Sequence, residues 1–149
     1  MLYFAYGMNC HPREMARRCP DAVYLGLARA PGFRLDFNLH CDITEDSHSE
    51  IQGTLWRITP HCLDNLDLLE GYPDYYRRRP ILLWPQHSDQ SLIAITYQMT
   101  EINKVLLPPG DSYRHLVAEA YELQGMNMTQ LQQALERSQA SRQHHVYPE

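Results

Sequence analysis

Leu2-Tyr3-Phe4-Ala5-Tyr6-Gly7-Met8-Asn9 opens the chain as an apolar run that stops in a tight turn. Aromatic and aliphatic residues suit a pleated, half-buried surface, so Leu2–Tyr6 predicts a short strand. Gly7 lets the chain approach a ligand closely, and a turn built on it can aim consecutive N–H groups at an anion. Pro12 then starts a brief helix through Arg13-Glu14-Met15-Ala16-Arg17-Arg18, which must end before Pro20. The chain therefore begins as strand, turn and helix, with an anion cradle at the turn.

A second stretch supplies the acid. Thr59 and Pro60 predict a helix start, a hydroxyl N-cap followed by proline at the first helical position, and Gly71 is placed to end it. Glu70 follows Leu63 by seven positions and Leu66 by four, which puts it on the same apolar face. It also sits in the last turn, at the negative end of the helix dipole. Burial and the dipole both favour the neutral acid, so its pKa is expected to rise into the range useful for proton transfer. An ordinary carboxylate at a helix end, or one paired with Arg77, Arg78 or Arg79, is the alternative reading of the same residue.

The rest of the composition narrows the chemistry. With 149 residues, 44% of them hydrophobic, the chain suits a single domain, residues 1–149, with a polar C-terminal tail over 138–149. Asp plus Glu at 18 against Lys plus Arg at 13 leaves a formal charge of −5 and no broad basic field, so no nucleic acid partner is expected. The apolar run Leu2–Tyr6 has no preceding basic region and is too short for a signal peptide or a membrane span, and the expected location is cytoplasmic, with no membrane partner. Cys10, Cys19, Cys41 and Cys62 include no C-x-x-C pair and are expected as reduced thiols. Cys10-His11, His40-Cys41 and His61-Cys62 raise the question of a metal. Adjacent residues on a strand or helix diverge, so such pairs seldom ligate one ion, and no metal site is expected.

Between the two stretches, Ala22–Leu27 and Phe33–Leu39 have strand composition around the breaker Pro31-Gly32. Asp42–Glu50 reads as an acidic surface loop, and Ile51–Ile58 as a strand carrying Trp56. Beyond Glu70, Tyr75-Tyr76-Arg77-Arg78-Arg79 leads to a strand Ile81–Trp84, a turn over Pro85–Asp89 and a strand Leu92–Met99. The arginines read as a solvated edge. Asp111 or Ser112 can cap a helix with Tyr113, Leu116, Val117 and Ala120 on one stripe and Gly125 at its end. Thr129-Gln130-Leu131-Gln132 has capping-box spacing and opens a last helix to about Arg137; His144 and His145 then lie in a frayed terminus.

Taken together, these residues resemble the γ-glutamylcyclotransferase-like family. The resemblance runs from Tyr3-Phe4-Ala5-Tyr6-Gly7-Met8-Asn9 through Phe33-Arg34-Leu35-Asp36-Phe37, Gly53-Thr54-Leu55-Trp56, Leu66–Gly71 and Thr96-Tyr97 to Pro108-Pro109-Gly110-Asp111-Ser112-Tyr113. It implies an α+β fold, a mixed β-sheet forming a partly closed barrel flanked by helices, with no cofactor. It implies a reaction in which the free α-amine of a γ-glutamyl group attacks its own γ-carbonyl, forming 5-oxoproline and releasing an amine or amino acid. Glu70 would be the general acid/base. The N–H groups of Gly7, Met8 and Asn9 would hold the glutamyl oxygens, with Tyr6 lining the cavity. Tyr76 (or Tyr75) and Tyr113 fall where the family's tyrosines meet substrate, although each can equally be packing. Met8 departs from the small residue usual in this turn, which opens the alternative of a non-catalytic binding module of the same fold.

Overall fold

In the computed structural model, the fold is described for residues 1–146 and side chains through Ser141. Five strands form one closed barrel in the order β1-β3-β2-β4-β5. Strand β1 (Leu2–Ala5) pairs antiparallel with β3 (His40–Arg57) and, through Tyr3 and Ile95, parallel with β5 (Leu92–Met99). Strand β2 (Val23–Asn38) and β3 form a long hairpin, and β4 (Tyr76–Pro85) pairs with β5. The β2–β4 seam is short, Ala28 with Pro85 and Arg29 with Trp84, so the barrel closes through brief contacts on either side of the two hairpins. This agrees with the α+β barrel expected above.

Helix α1 (Pro12–Arg18) follows the first turn, and α2 (Pro60–Glu70) connects β3 to β4. Helices α3 (Asp111–Gln124) and α4 (Met128–Val146) follow the barrel. Phe4, Leu35, Phe37, Ile43, Ile51, Leu83 and Met99 fill the interior, and Val117, Ala120 and Tyr121 seal it from α3. Gly53 lies where β3 crosses β1 so closely that a Cβ would stand 2.3 Å from the Ala5 carbonyl oxygen. No helix among the described residues is long and apolar enough to cross a membrane.

Several expectations need correction. Pro31-Gly32 does not break the sheet: β2 runs through it, with a register shift between Pro31 and Phe33. Asp42–Glu50 is therefore not a loop but part of β3: Asp42–Glu45 and Glu50 pair with β2, and Asp46–Ser49 are the extra residues of the register shift between them. Gly110, not Asp111 or Ser112, occupies the cap of α3. Asn127 Oδ1 accepts from Thr129 N–H at 3.0 Å, and α4 continues past Arg137, with Ser138 fully buried, where a polar tail was expected. The side chains of His144 and His145 lie outside those described.

The cysteines also differ from expectation. Cys19 and Cys62 form a disulfide, while Cys10 and Cys41 are free and buried. The bond joins the end of α1 to the first turn of α2, two sites 43 residues apart that only the folded chain brings to a Cα–Cα distance of 5.0 Å. Asn65 Nδ2, donating to Arg18 O at 2.9 Å, reinforces the same junction. Closing a loop of this length removes enough unfolded-state entropy to stabilise the chain by about 4 kcal/mol in the chain-entropy picture. A Cys19→Ser, Cys62→Ser variant is expected to melt at least several degrees below the oxidised protein, read by calorimetry under matched conditions. An unchanged melting temperature would contradict that contribution.

Candidate active site

The helix that carries Glu70 is fixed at both ends. Thr59 Oγ1 accepts from Cys62 N–H at 3.1 Å, and Gly71, at φ 64°, takes the left-handed conformation that ends the helix and lets Tyr72 N–H reach Asp67 O. Leu63 and Leu66 of the same face are buried, as the helical spacing required. Asp67 locks the helix to the barrel: it accepts from Tyr97 OH at 2.5 Å and pairs with the Arg78 guanidinium, which holds its carboxyl below the ordinary aspartate range. The Arg78 partner is thus Asp67, and Arg79 engages Glu45 and Gln98. The arginine pairing considered for Glu70 is not formed.

Glu70 instead lines a cavity of about 210 Å³. Loss of water pushes its pKa up to about 7, partly opposed by the positive charge of Arg18. Arg18 was not singled out by sequence. It stands at the end of α1 with Nη1 2.5 Å from Glu14 Oε2 and Nη2 3.8 Å from the Met8 sulfur, next to the turn that faces Glu70 across the cavity wall.

The cavity brings together every residue expected at the site: Tyr6, Gly7, Met8, Asn9, Glu70, Tyr76 and Tyr113. Met8–Cys10 form a single 3₁₀ turn whose hydrogen bonds, Cys10 N–H to Gly7 O and His11 N–H to Met8 O, use its carbonyls. The N–H groups of Gly7, Met8 and Asn9 therefore have no partner inside the turn. Gly7 also has a packing role. A Cβ there would meet Cys41 Cβ at 2.8 Å and Sγ at 3.1 Å, so its missing side chain lets the turn press against β3.

The aromatic side chains are held individually. Tyr6 OH donates to Tyr97 O at 2.5 Å, Tyr76 OH to Cys41 O at 2.6 Å, and Cys41 N–H donates to Tyr113 OH at 3.0 Å. Burial drives the pKa of all three phenols well up, so they remain neutral at physiological pH. Tyr75 also lines the cavity, so both tyrosines of the Tyr75-Tyr76 pair reach it. Tyr75 OH and His40 Nδ1 are 2.9 Å apart, and burial lowers the His40 pKa, favouring the uncharged ring. Tyr3, Phe4, Ala5, His40, Cys41, Leu69, Thr96 and Tyr97 also line the cavity without having been marked as site residues by sequence. Thr96 and Tyr97 fell inside the family-like pattern, but nothing local to them indicates which face of β5 turns inward. Burial also raises the Cys41 thiol pKa, leaving it a packing group rather than a nucleophile.

Among the described residues, no group of three or more His, Cys, Asp or Glu is arranged to hold a metal ion. Of the histidines beside cysteines, His11 is buried against Glu119, with Nε2 2.5 Å from Oε1, and its Nδ1 accepts from Arg13 N–H at the start of α1. The cavity thus combines a turn whose N–H groups have no partner within it, one carboxyl able to exchange a proton near neutrality, and neutral aromatic walls. That set can bind an anionic or carbonyl group and move one proton beside it.

A family description, "Gamma-glutamyl cyclotransferase, AIG2-like", matches residues 3–115. The bovine protein named gamma-glutamylcyclotransferase is 28% identical over 138 residues, covering 84% of this chain and 72% of the bovine one. The human protein of the same name is 25% identical over 138 residues, with the same two coverages. A solved structure titled gamma-glutamyl cyclotransferase superposes with a TM-score of 0.78 at 24% identity, covering 91% of this chain and 86% of its own. That likeness speaks to the fold.

Proposed function

We propose that this chain, which belongs to the gamma-glutamyl cyclotransferase, AIG2-like family, converts a γ-glutamyl compound into 5-oxoproline and a free amine or amino acid. The observation that carries the reading is Glu70, brought to about 7 by burial and set in the same cavity as the Gly7–Asn9 turn.

The chemistry asks little more of the protein. The glutamyl α-carboxylate and the reacting carbonyl oxygen would take the N–H groups of Gly7, Met8 and Asn9, which would stabilise the oxyanion as the carbonyl is attacked. Ionised Glu70 would accept a proton from the α-ammonium, freeing its lone pair for attack, and then return a proton to the departing nitrogen. Tyr6, Tyr76 and Tyr113 would hold the folded glutamyl chain between them. Confinement of amine and carbonyl in one small cavity makes the attack intramolecular, worth up to about 7–11 kcal/mol of barrier in favourable cases. No cofactor enters this scheme, and a cytoplasmic setting is part of the same proposal.

The test is incubation with a panel of γ-glutamyl amino acids, γ-glutamyl amines and glutathione, with 5-oxoproline and freed amine quantified together. Equimolar release from at least one member is expected. Saturable γ-glutamyl binding with no product from any member would overturn the reading in favour of a binding module.

A further inference from the structure

We infer that the leaving group favoured by this cavity is an apolar, arylalkyl amine lacking a carboxylate, rather than an amino acid or peptide. The inference rests on the cyclotransferase reading above and concerns the outer part of the cavity, where His40, Leu69 and Tyr75 lie beyond the glutamyl contacts and Met8 and Tyr113 border both.

Burial divides the wall into a floor and a mouth. Tyr3, Phe4, Tyr6, Tyr76, Thr96 and Tyr97 are all buried and lie beneath, with the turn and Glu70 beside them. Met8, His40, Tyr75 and Tyr113 are half-buried, and Leu69 is 38% exposed, so these five form the mouth. With the γ-glutamyl group held at the turn and Glu70, as proposed above, whatever is attached to its γ-carbonyl would meet these mouth residues of the cavity of about 210 Å³.

The mouth is aromatic and uncharged. The His40 ring meets Tyr113 at 5.0 Å and Tyr75 at 5.9 Å in edge-to-face contacts, and Tyr75 meets Tyr76 at 5.0 Å, forming one continuous wall. Just outside it, Leu39 is 45% exposed and tied to Leu107 by a backbone hydrogen bond of 3.0 Å, extending the apolar surface. Among the described residues, no lysine or arginine lines the cavity. Arg18, the cation beside Glu70, is held by Glu14, and Lys104 is held by Asp42 at 3.1 Å. Burial keeps His40 neutral, so it supplies no charge either.

A second carboxylate on the leaving group would therefore lose water against aromatic walls with no cation to replace it, close to the negative charge Glu70 carries during catalysis. An arylalkyl group would gain contact area and edge-to-face packing at the same place. The bonds balance without a further reactant. The α-amine nitrogen bonds to the γ-carbonyl carbon, the amide C–N bond breaks, and the departing nitrogen takes up a proton that the α-nitrogen gave to Glu70.

A matched series tests this: γ-L-glutamyl-phenethylamide, γ-L-glutamyl-phenylalanine, which adds only a carboxylate, and γ-L-glutamyl-methylamide, which lacks the ring. The phenethylamide is expected to exceed both others at least ten-fold in kcat/KM for 5-oxoproline formation. Leu69→Arg, which places a cation at the mouth, is expected to narrow the phenethylamide to phenylalanine ratio at least three-fold. Product from the series with an equal or inverted wild-type ratio would overturn the specificity while leaving the cyclotransferase reading intact. No 5-oxoproline from any of these or from the wider panel would overturn both.

Discussion

Glu70→Gln is expected to lower 5-oxoproline formation by about 10²–10⁴-fold, the range that removal of a positioned acid–base group costs, while ligand affinity changes only a few-fold. Glutamine keeps the shape of the side chain, so the cavity and the turn should remain in place. It cannot take the ammonium proton, and the attacking nitrogen then has no route to its lone pair. Calorimetric binding of an uncleaved γ-glutamyl analogue, run beside the turnover assay, separates lost chemistry from lost binding. Turnover within ten-fold of wild type would assign the proton transfer elsewhere.

The same substitution carries a signature in stability. Glu70 shifts from an ordinary 4.5 to about 7 on folding because the folded chain strips water from it. Between these values the folded state binds more protons than the unfolded one, so stability falls as pH rises. The contribution is fully present below 4.5 and lost as pH passes through about 7, with an upper bound of about 3 kcal/mol. Glutamine does not titrate. The melting temperature of Glu70→Gln should therefore gain on wild type between pH 5 and pH 8, and a constant difference would contradict the raised pKa.

Gly7→Ala is expected to cost about 10–100-fold in kcat/KM with a smaller fall in melting temperature. The added methyl would stand 2.8 Å from Cys41 Cβ, and Cys41 is anchored on β3 by Tyr76 and Tyr113, so the turn rather than the strand must yield. A displacement near 1 Å at a substrate-positioning group is enough for a loss of about this size. Adding Cys41→Gly removes the opposing side chain and should recover part of the activity, although not stability. Full activity in Gly7→Ala alone would show that the N–H cradle does not need the close packing seen here.

What could be read from sequence was local. Thr59, Pro60 and Gly71 bounded α2 because capping chemistry is a property of neighbouring residues, and the spacing of Glu70 from Leu63 and Leu66 located the acid on the inner face. The β3 arm was missed because Asp42–Glu45 and Glu50 owe their strand to pairing with β2 across a register shift, which the polar composition does not announce. The partner of Cys19 was hidden by a sequence separation of 43. His40 and Tyr97 reach the cavity through strand register, and Gly7 revealed its real neighbour, Cys41, only once β3 was laid against the turn. The positions of Glu70 and of the Gly7–Asn9 turn were thus legible, and Tyr6, Tyr76 and Tyr113 through the family resemblance, while the rest of the aromatic enclosure, Tyr3, His40 and Tyr97, was not.

The central claim, that a carboxyl held near neutrality by burial carries the proton, is tested most directly by the pH dependence of kcat/KM for 5-oxoproline formation. The profile should rise with pH on an acid limb with an apparent pKa of about 7, and the limb should vanish from the residual activity of Glu70→Gln. A limb near 4.5, or one that persists unchanged in Glu70→Gln, would contradict the account.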